Sequence, residues 1–415
     1  MHLLRATVLL PLLAFAVPAH AQFIEASSGA LQDDAPPPVV ETVVPQAPGR
    51  QPKQEWVDVA RVLNALRITD NLADLRAVTV DRTGKEYGFY FVSQQKGLFT
   101  VYRNGRVMQQ GEIESLYDIQ EPTVFRMTAS GQLLYALHGT DLYVDQKQVS
   151  NDAFSFSKGV DSVHDEGGVL TFPEGGTVIR YDIAKDKRSI LYKHLGSIEY
   201  LRRDGGYVAY ALREKGFVRM YKNGRRVSTK PVENPENFAI GKQGEVYFFT
   251  KAARGYSLFR DTRSFVTGKG DGAYVAVDAD GHVWHMSYVR LDRRTVVSLQ
   301  KDRGGVNLLP PGVTNVELFL TLVDGGYAAR ASFADDPSAF FLVRDGKVLG
   351  EPFLFEYPYN DTHGIAPWID SLVLRAFVDG RWKILSDGET VDHASLKRAW
   401  SYRINGDVLT VYATK

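Results

Sequence analysis

Leu342-Val343-Arg344-Asp345-Gly346-Lys347-Val348 is the stretch that decides the fold. It is an apolar-alternating strand that ends in an Asp-Gly turn, and this dipeptide supplies the positive φ angles that a two-residue hairpin requires. The same pattern recurs at residues 101–107 and 220–227, where the turn is Asn-Gly. With weaker copies included, the turns fall at positions 104, 145, 182, 223, 261, 302, 345 and 387, in steps of 37 to 43 residues.

A second recurring unit lies between these turns. Asp204-Gly205-Gly206-Tyr207 and Asp324-Gly325-Gly326-Tyr327 are clear copies, and each is followed by a strand rich in aromatic and β-branched residues. Related turns are found near Gly84, Gly131, Gly168, Gly244, Gly281, Ser371 and Gly406. The two units together give four short strands in about 40 residues, which is the repeat of a β-propeller blade.

The repeats predict an all-β fold, a single β-propeller of eight four-stranded blades, with seven or nine blades as alternatives. Nine result if every repeat is a blade, and eight if the weak repeat around Asp182 is incomplete. A single four-stranded sheet cannot bury both faces, so the blades must stack around an axis. An irregular β-sandwich fits the constant spacing less well.

Both chain ends are expected to complete one blade. The C-terminal pair, residues 400–413, has no outer pair of its own, and residues 56–70 are available to close that sheet. Joining the ends removes exposed edges and locks the ring. Residues 56–75 also partly fit helical spacing, so a short helix is an alternative there.

The first residues predict export. Arg5 is followed by an apolar run, residues 6–17, and then by Ala19-His20-Ala21, a small-x-small cleavage signal. We therefore assign residues 1–21 to a signal peptide, 22–54 to a disordered Pro-rich linker and 55–415 to the propeller. The protein is expected to be periplasmic or secreted in a bacterium, monomeric, and without a membrane span.

The composition narrows the function. Lys plus Arg and Asp plus Glu are both 49, so the formal net charge is zero and no basic surplus points to nucleic acid. The absence of cysteine excludes disulfides, thiolate metal sites and a cysteine nucleophile. No cofactor is expected.

Residues 72–415 resemble the WD-like propeller repeats of bacterial cell-envelope proteins, through the aromatic strands after Asp-Gly turns and the Asn-Gly outer hairpins. The resemblance is one of repeat pattern: no Trp-Asp dipeptide ends a blade and no Gly-His opens one. It implies the propeller fold and carries no named activity.

Two motifs suggest metals and are interpreted as structural. His282 and His285 are three residues apart in a predicted strand, and this spacing places their side chains on opposite faces of the strand. Asp278-Ala279-Asp280-Gly281 resembles the opening of a calcium loop, but the downstream acidic ligand is missing. We predict packing or surface histidines, a hairpin turn, and no metal site.

Acidic residues recur just before or within the predicted innermost strands. They are Asp118, Asp161, Glu199, Glu236, Asp271, Glu317 and Asp361. The loops between the second and third strands, on the same face, are often basic, with Arg213, Lys215, Lys251, Arg254, Arg290, Arg293, Arg294 and Arg381. An acidic channel mouth inside a basic rim would attract a cation or a cationic segment, because a concave site focuses the field of like charges.

The longest irregular stretch is residues 351–370. It carries Tyr357, Trp368, Asp361 and His363, which could contact a ligand such as a sugar ring. An insertion that covers a blade edge is the alternative.

Two functions remain open at this point. The first is a non-catalytic scaffold that binds an envelope protein, a peptide or another ligand at one face, since no standard catalytic signature is present. The second is a hydrolase or lyase acting on a polysaccharide or small ester. It would need paired carboxylates about 5 Å or 6.5–9.5 Å apart, with Asp361, His363 and one of Glu236, Asp271 or Glu317 as candidates.

Overall fold

The computed structural model describes residues 53–113, 124–137, 141–150, 162–291, 294–322, 324–334, 336–354, 366–368, 371–378, 381–391 and 397–414. They form 34 strands, one α-helix, α1 (Val59–Ala65), and a 3₁₀ turn, Leu72–Asp74. No helix among these residues is long and apolar enough to cross a bilayer.

The strands form nine sheets, which are the blades of a β-propeller. In each blade the first strand named lies nearest the channel and the last lies at the rim. Blades 1 to 3 are β2 (Leu75–Val80), β3 (Tyr87–Ser93), β4 (Leu98–Arg103) and β5 (Arg106–Glu112); β6 (Phe125–Met127), β7 (Leu133–Leu137), β8 (Asp141–Val144) and β9 (Lys147–Gln148); β10 (His164–Glu166), β11 (Val169–Glu174), β12 (Thr177–Asp182) and β13 (Lys187–Lys193). Blades 4 to 6 are β14 (Ser197–Asp204), β15 (Tyr207–Glu214), β16 (Phe217–Lys222) and β17 (Arg225–Arg226); β18 (Glu233–Ile240), β19 (Val246–Ala252), β20 (Gly255–Arg260) and β21 (Arg263–Gly268); β22 (Asp271–Val277), β23 (Val283–Leu291) and β24 (Arg294–Lys301). Blades 7 to 9 are β25 (Val313–Thr321), β26 (Tyr327–Phe333), β27 (Asp336–Arg344) and β28 (Lys347–Leu354); β29 (Ala366–Trp368), β30 (Ser371–Val378), β31 (Arg381–Ser386) and β32 (Glu389–Thr390); β33 (Arg398–Asn405), β34 (Val408–Thr414) and β1 (Lys53–Asp58).

The predicted propeller is confirmed, with nine blades rather than the favoured eight. The repeat around Asp182, which the sequence left in doubt, forms the complete sheet of blade 3. Its turn lies four residues later than predicted. Asp182 is the last residue of β12, and the positive φ angle of 50° belongs to Asp186.

The hydrophobic core follows the seams between blades. The buried apolar residues of the described chain form nine clusters, and each cluster joins two neighbouring blades. One of them joins blade 9 to blade 1, through Trp400 and Tyr412 on one side and Leu75 and Phe89 on the other. Each blade therefore buries both faces against its neighbours, and the ring is closed.

The outer turns explain why Asp or Asn recurs there. Asn104, Asp145, Asn223, Asp261, Asp302, Asp345 and Asp387 all have φ between 46° and 55°. In each case the side-chain oxygen also accepts the backbone N–H of the first or second residue of the second strand of its blade, as in Val208 N–H to Asn223 Oδ1 at 2.8 Å. One residue thus makes the left-handed turn and fastens the third strand to the second.

The outer strands alternate in length around the ring. In odd blades 1, 3, 5 and 7, they are six to eight residues long, as β5, β13, β21 and β28. In blades 2, 4 and 8, they have two residues, and the described part of blade 6 has none. The chain therefore repeats every two blades, in about 80 residues.

In three even blades, a polar side chain takes the place of a full-length outer strand. Ser150 Oγ accepts the N–H of Leu142 at 2.8 Å, and Ser228 Oγ accepts that of Met220 at 2.9 Å. Asn307 Oδ1 does the same for Leu299 at 2.9 Å. Each of these polar residues lies five positions after the Asp or Asn of the outer turn, so the position of this hydrogen-bonding side chain can be recognised in the sequence.

The two chain ends meet in blade 9, as predicted. β1 lies beside β34 and pairs with it in parallel, with Trp56 opposite Val411. The predicted short helix follows directly, because Asp58 caps α1 by accepting the N–H of Ala60 at 3.0 Å.

Candidate binding face

The two ends of the propeller differ in the segments that form them. We call the crossover face the end that carries the blade-to-blade crossovers and the turns between second and third strands. We call the turn face the opposite end, which carries the turns between first and second and between third and fourth strands. Innermost strands begin at the crossover face, so Glu199 and Asp271 lie toward it.

Two of the four described acids of the channel mouth, Glu199 and Glu317, are held by bases of their own blades. Glu199 on β14 makes an ion pair with Arg213 on β15. Glu317 on β25 lies 3.2 Å from Arg330 on β26, and both residues are buried. Burial raises the pKa of the Glu317 carboxyl although Arg330 acts in the opposite direction. The negative charge of these two carboxylates is therefore largely offset by an arginine of the same blade.

β-Bulges position these two acids. The pairing of β14 with β15 skips Glu199, and the pairing of β25 with β26 skips Glu317. A bulged residue leaves the regular alternation, and its side chain is re-aimed. The acid can be read from the sequence but the bulge cannot, since a bulge is defined by the partner strand.

Glu236 and Asp271 have different surroundings. Glu236 on β18 neighbours Tyr200 of the adjacent blade. Burial raises the pKa of Tyr200 to about 12, and the Glu236 and Glu199 charges act in the same direction. Asp271, the first residue of β22, is exposed and lies opposite Tyr288 in the strand register.

The aromatic candidate of the irregular stretch lies in the core. Trp368 ends β29, is 4% exposed and packs in the seam of blades 8 and 9 with Val373 and Leu409. It is not an open stacking platform, because its ring is enclosed by apolar neighbours. Asp118, Asp161, Tyr357, Asp361 and His363 lie outside the described residues.

The basic rim is present on the crossover face. Lys215, Lys251, Arg254 and Arg290 are exposed, as the loop positions suggested. Lys193, Lys230 and Lys269, at the crossovers that follow blades 3, 4 and 5, are also exposed and were missed, because only the loops inside each blade had been considered. Arg213 is engaged by Glu199, Arg293 lies outside the described residues, and Arg381 on blade 8 is half-buried.

Two large apolar side chains protrude within this basic region. Leu195, on the crossover from blade 3 to blade 4, is 94% exposed, and Phe217, at the start of β16, is 55% exposed. The two segments are adjacent, since a Cβ on Gly196 would lie 2.2 Å from the carbonyl oxygen of Arg213, near the same hairpin. Sequence patterning did not single out either residue, because Phe217 precedes the buried Val218 and Leu195 lies in a short connection whose exposure depends on the surrounding structure.

A polar ladder crosses three consecutive seams near the turn face. The ring Nε2–H of His164 donates to the carbonyl oxygen of Leu201 at 3.0 Å, and Arg202 donates to that of Glu236 at 3.2 Å. Arg126 likewise donates to the carbonyl oxygen of Val163. Burial lowers the pKa of His164 to about 4, and the neighbouring arginines contribute in the same direction.

The two metal-like motifs have structural roles. His285 is buried and donates to the Asp302 carbonyl oxygen at 2.8 Å, whereas His282 is exposed beside the Asp302 carboxylate. The Asp278 carboxylate accepts the N–H groups of Asp280 and His282, so the calcium-like sequence is a hairpin turn. Within the described residues, no group of three or more metal-ligating side chains converges.

Comparison with known proteins adds little to this geometry. Neither a protein-family model nor a curated protein sequence matches the chain. Among solved structures, a putative TolB from Agrobacterium tumefaciens is 13% identical over 45% of this chain and 76% of that protein, with a TM-score of 0.29. BamB from Moraxella catarrhalis is 12% identical over 78% of this chain and 86% of its own, with a TM-score of 0.37. Apo AztD from Citrobacter koseri is 9% identical over 77% and 95%, also with a TM-score of 0.37. The chain is thus similar in architecture to known structures at a level that carries no functional argument.

Proposed function

We propose that this chain is a non-catalytic scaffold of the bacterial envelope that binds a partner protein on its crossover face. The observation that carries the proposal is the exposure of Leu195 and Phe217 on adjacent segments of that face. Single exposed apolar residues are common on soluble proteins. A leucine that is 94% exposed, on a segment adjacent to that of an exposed phenylalanine and inside a charged rim, is typical of a partner-binding site.

The described acids favour binding over catalysis. Glycoside hydrolysis needs one carboxyl group as acid and another as base or nucleophile. Glu199 and Glu317 are each engaged by an arginine of the same blade, which holds the carboxylate in place and links the two strands. The propeller thus offers a rigid face rather than a pair of reactive carboxylates.

The envelope location rests on the N-terminal sequence. The apolar run of residues 6–17 and the Ala19-His20-Ala21 site support export. Mass spectrometry of the mature N-terminus in a bacterial host tests this part, and retention of Met1 in the folded protein would contradict it.

A photo-crosslinking experiment tests the binding face. A benzophenone amino acid replaces Phe217 on the crossover face and, as a matched aromatic control, Tyr207 on the turn face of the same blade. We expect a discrete cross-linked protein from position 217 and none from position 207. The recovered protein must then bind the purified propeller and lose affinity for Phe217→Ser.

Cross-links of equal yield from both positions, or from neither, would overturn the assignment of the face. A partner whose affinity is indifferent to Phe217→Ser would do the same.

A further inference from the structure

We infer that the partner presents an acidic segment to the crossover face, with an apolar anchor at one end. The inference rests on the proposed function and specifies the chemistry of that site. It comes from how charge is distributed between the two ends of a molecule whose formal net charge is zero.

Exposed cations follow one another across the crossover face of blades 3 to 6. They are Lys193, Lys215, Lys230, Lys251, Arg254, Lys269 and Arg290. Among the described residues of the same turns and crossovers, Asp271 is the exposed carboxylate. Three further acids of these segments are more enclosed and are engaged: Glu199 with Arg213, Glu214 with Tyr221 and Arg226, and Glu233 with Lys251 at 3.9 Å.

The compensating acids lie at the turn face because turn chemistry requires them there. Asp145, Asp261 and Asp302 supply the left-handed φ and the side-chain acceptor of the outer turns. The turn between the second and third strands of blade 4 places Lys215 at φ of 49° and Gly216 at φ of 83°, and a lysine has no side-chain acceptor, so this turn forms without an acid. The result is a disc that is basic at one end, and such a surface attracts and orients an anionic partner.

The arrangement favours a linear segment over a lipid surface. Among the described large apolar side chains, Leu195 and Phe217 are the exposed ones at the turns and crossovers of this face, and both lie at the junction of blades 3 and 4, while the cations continue through blade 6. A membrane contact would require apolar side chains distributed over the plane of the face. An extended chain with one apolar anchor followed by carboxylates would place the anchor at the junction of blades 3 and 4 and the carboxylates along the cations of blades 4 to 6.

The charge expected on the partner is therefore opposite in sign to the one that the sequence suggested. A cationic segment was expected from the acids of the inner strands. The ion pairs Glu199–Arg213 and Glu317–Arg330 engage two of these acids within their blades. The exposed charge that remains for a partner is positive.

Fluorescence anisotropy with synthetic peptides tests the inference. The probe is a labelled peptide with one tryptophan followed by six glutamates, and its matched control has glutamine in place of each glutamate. We expect the acidic peptide to bind at 50 mM salt, and its affinity to fall with salt, because exposed ion pairs are screened. The glutamine peptide should bind at least about tenfold more weakly.

Two pairs of substitutions locate the site. Lys215→Gln with Lys251→Gln on the crossover face should weaken the acidic peptide by about fivefold or more at low salt, as expected for two exposed charge pairs. Lys85→Gln with Lys242→Gln, exposed residues of turn-face turns, should leave affinity within about twofold. Leu195→Ser should weaken both peptides.

The outcomes separate the two proposals. Equal binding of both peptides, or equal loss in both lysine pairs, overturns the acidic-segment inference. Binding to vesicles of anionic phospholipid without binding to the acidic peptide also overturns it, in favour of a membrane contact. A protein cross-linked at position 217 that binds independently of salt would leave the proposed function standing while this inference fails.

Discussion

Replacing Asn223 with alanine is expected to destabilise the propeller by about 2–5 kcal/mol. Two losses contribute. The N–H of Val208, which is 4% exposed, loses its acceptor Asn223 Oδ1 at 2.8 Å, and an unsatisfied buried donor costs about 1–3 kcal/mol. Alanine must also adopt φ of 46°, a left-handed conformation that costs a residue with a Cβ about 1–2 kcal/mol.

Two further substitutions at this position separate the contributions. Asn223→Gly accepts the positive φ but leaves Val208 without an acceptor, so it should lie between wild type and alanine. Asn223→Asp retains both functions, as the five blades with Asp at this position do, and should stay within about 0.5 kcal/mol.

Urea unfolding gives the change in free energy, and hydrogen exchange at the Val208 amide gives the local effect. Exchange is informative because stacked repeats can open locally. An alanine variant as stable as wild type, with Val208 still protected, would refute the assignment of a structural role to the Asn side chain. So would a glycine variant that is less stable than alanine.

Three further predictions follow from individual contacts. Ser228→Ala should cost about 1–2 kcal/mol in urea unfolding because it orphans the N–H of Met220, and a cost near zero would mean that this hydrogen bond is dispensable. Gly196→Ala should lower the unfolding midpoint markedly, since its Cβ would lie 2.2 Å from the Arg213 carbonyl oxygen at φ of 131°; unchanged stability would contradict the close crossover. For His164, the pKa of about 4 lies below the unfolded value, so the folded state stays neutral while the unfolded chain takes up a proton, and stability present above pH ~6.5 is lost as pH falls toward 4. His164→Gln should therefore lose less stability than wild type between pH 7 and pH 4.5, and an equal loss would show that this ring does not titrate as described.

Much of the fold could be predicted from the turn residues. Asn104, Asn223 and Asp345 are each followed by glycine, and this local chemistry fixes a hairpin whatever surrounds it. The weaker turn of blade 3 was misplaced at Asp182 because two aspartates, Asp182 and Asp186, lie four residues apart and no glycine marks which of them takes the positive φ. The number of blades depended on this one repeat.

The site was legible only in part. Sequence position placed Glu199 and Glu317 on innermost strands, since the strand order within a blade follows from the repeat. Their pairing with Arg213 and Arg330 could not be predicted from the sequence, because a β-bulge and the register of the neighbouring strand decide which side chains meet. Leu195 and Phe217 were missed for a related reason: exposure is a property of what surrounds a residue.

By itself the sequence determined the repeat, the turns and the all-β class, because hydrophobic alternation and the φ preferences of Asn, Asp and Gly act over a few residues. Only the tertiary structure decided that nine blades close the ring, that β1 joins β34 in parallel, and that Glu199 and Glu317 are paired with arginines of their own blades. Closure and ion pairing depend on groups far apart in the chain, and their distances are set when the seams pack.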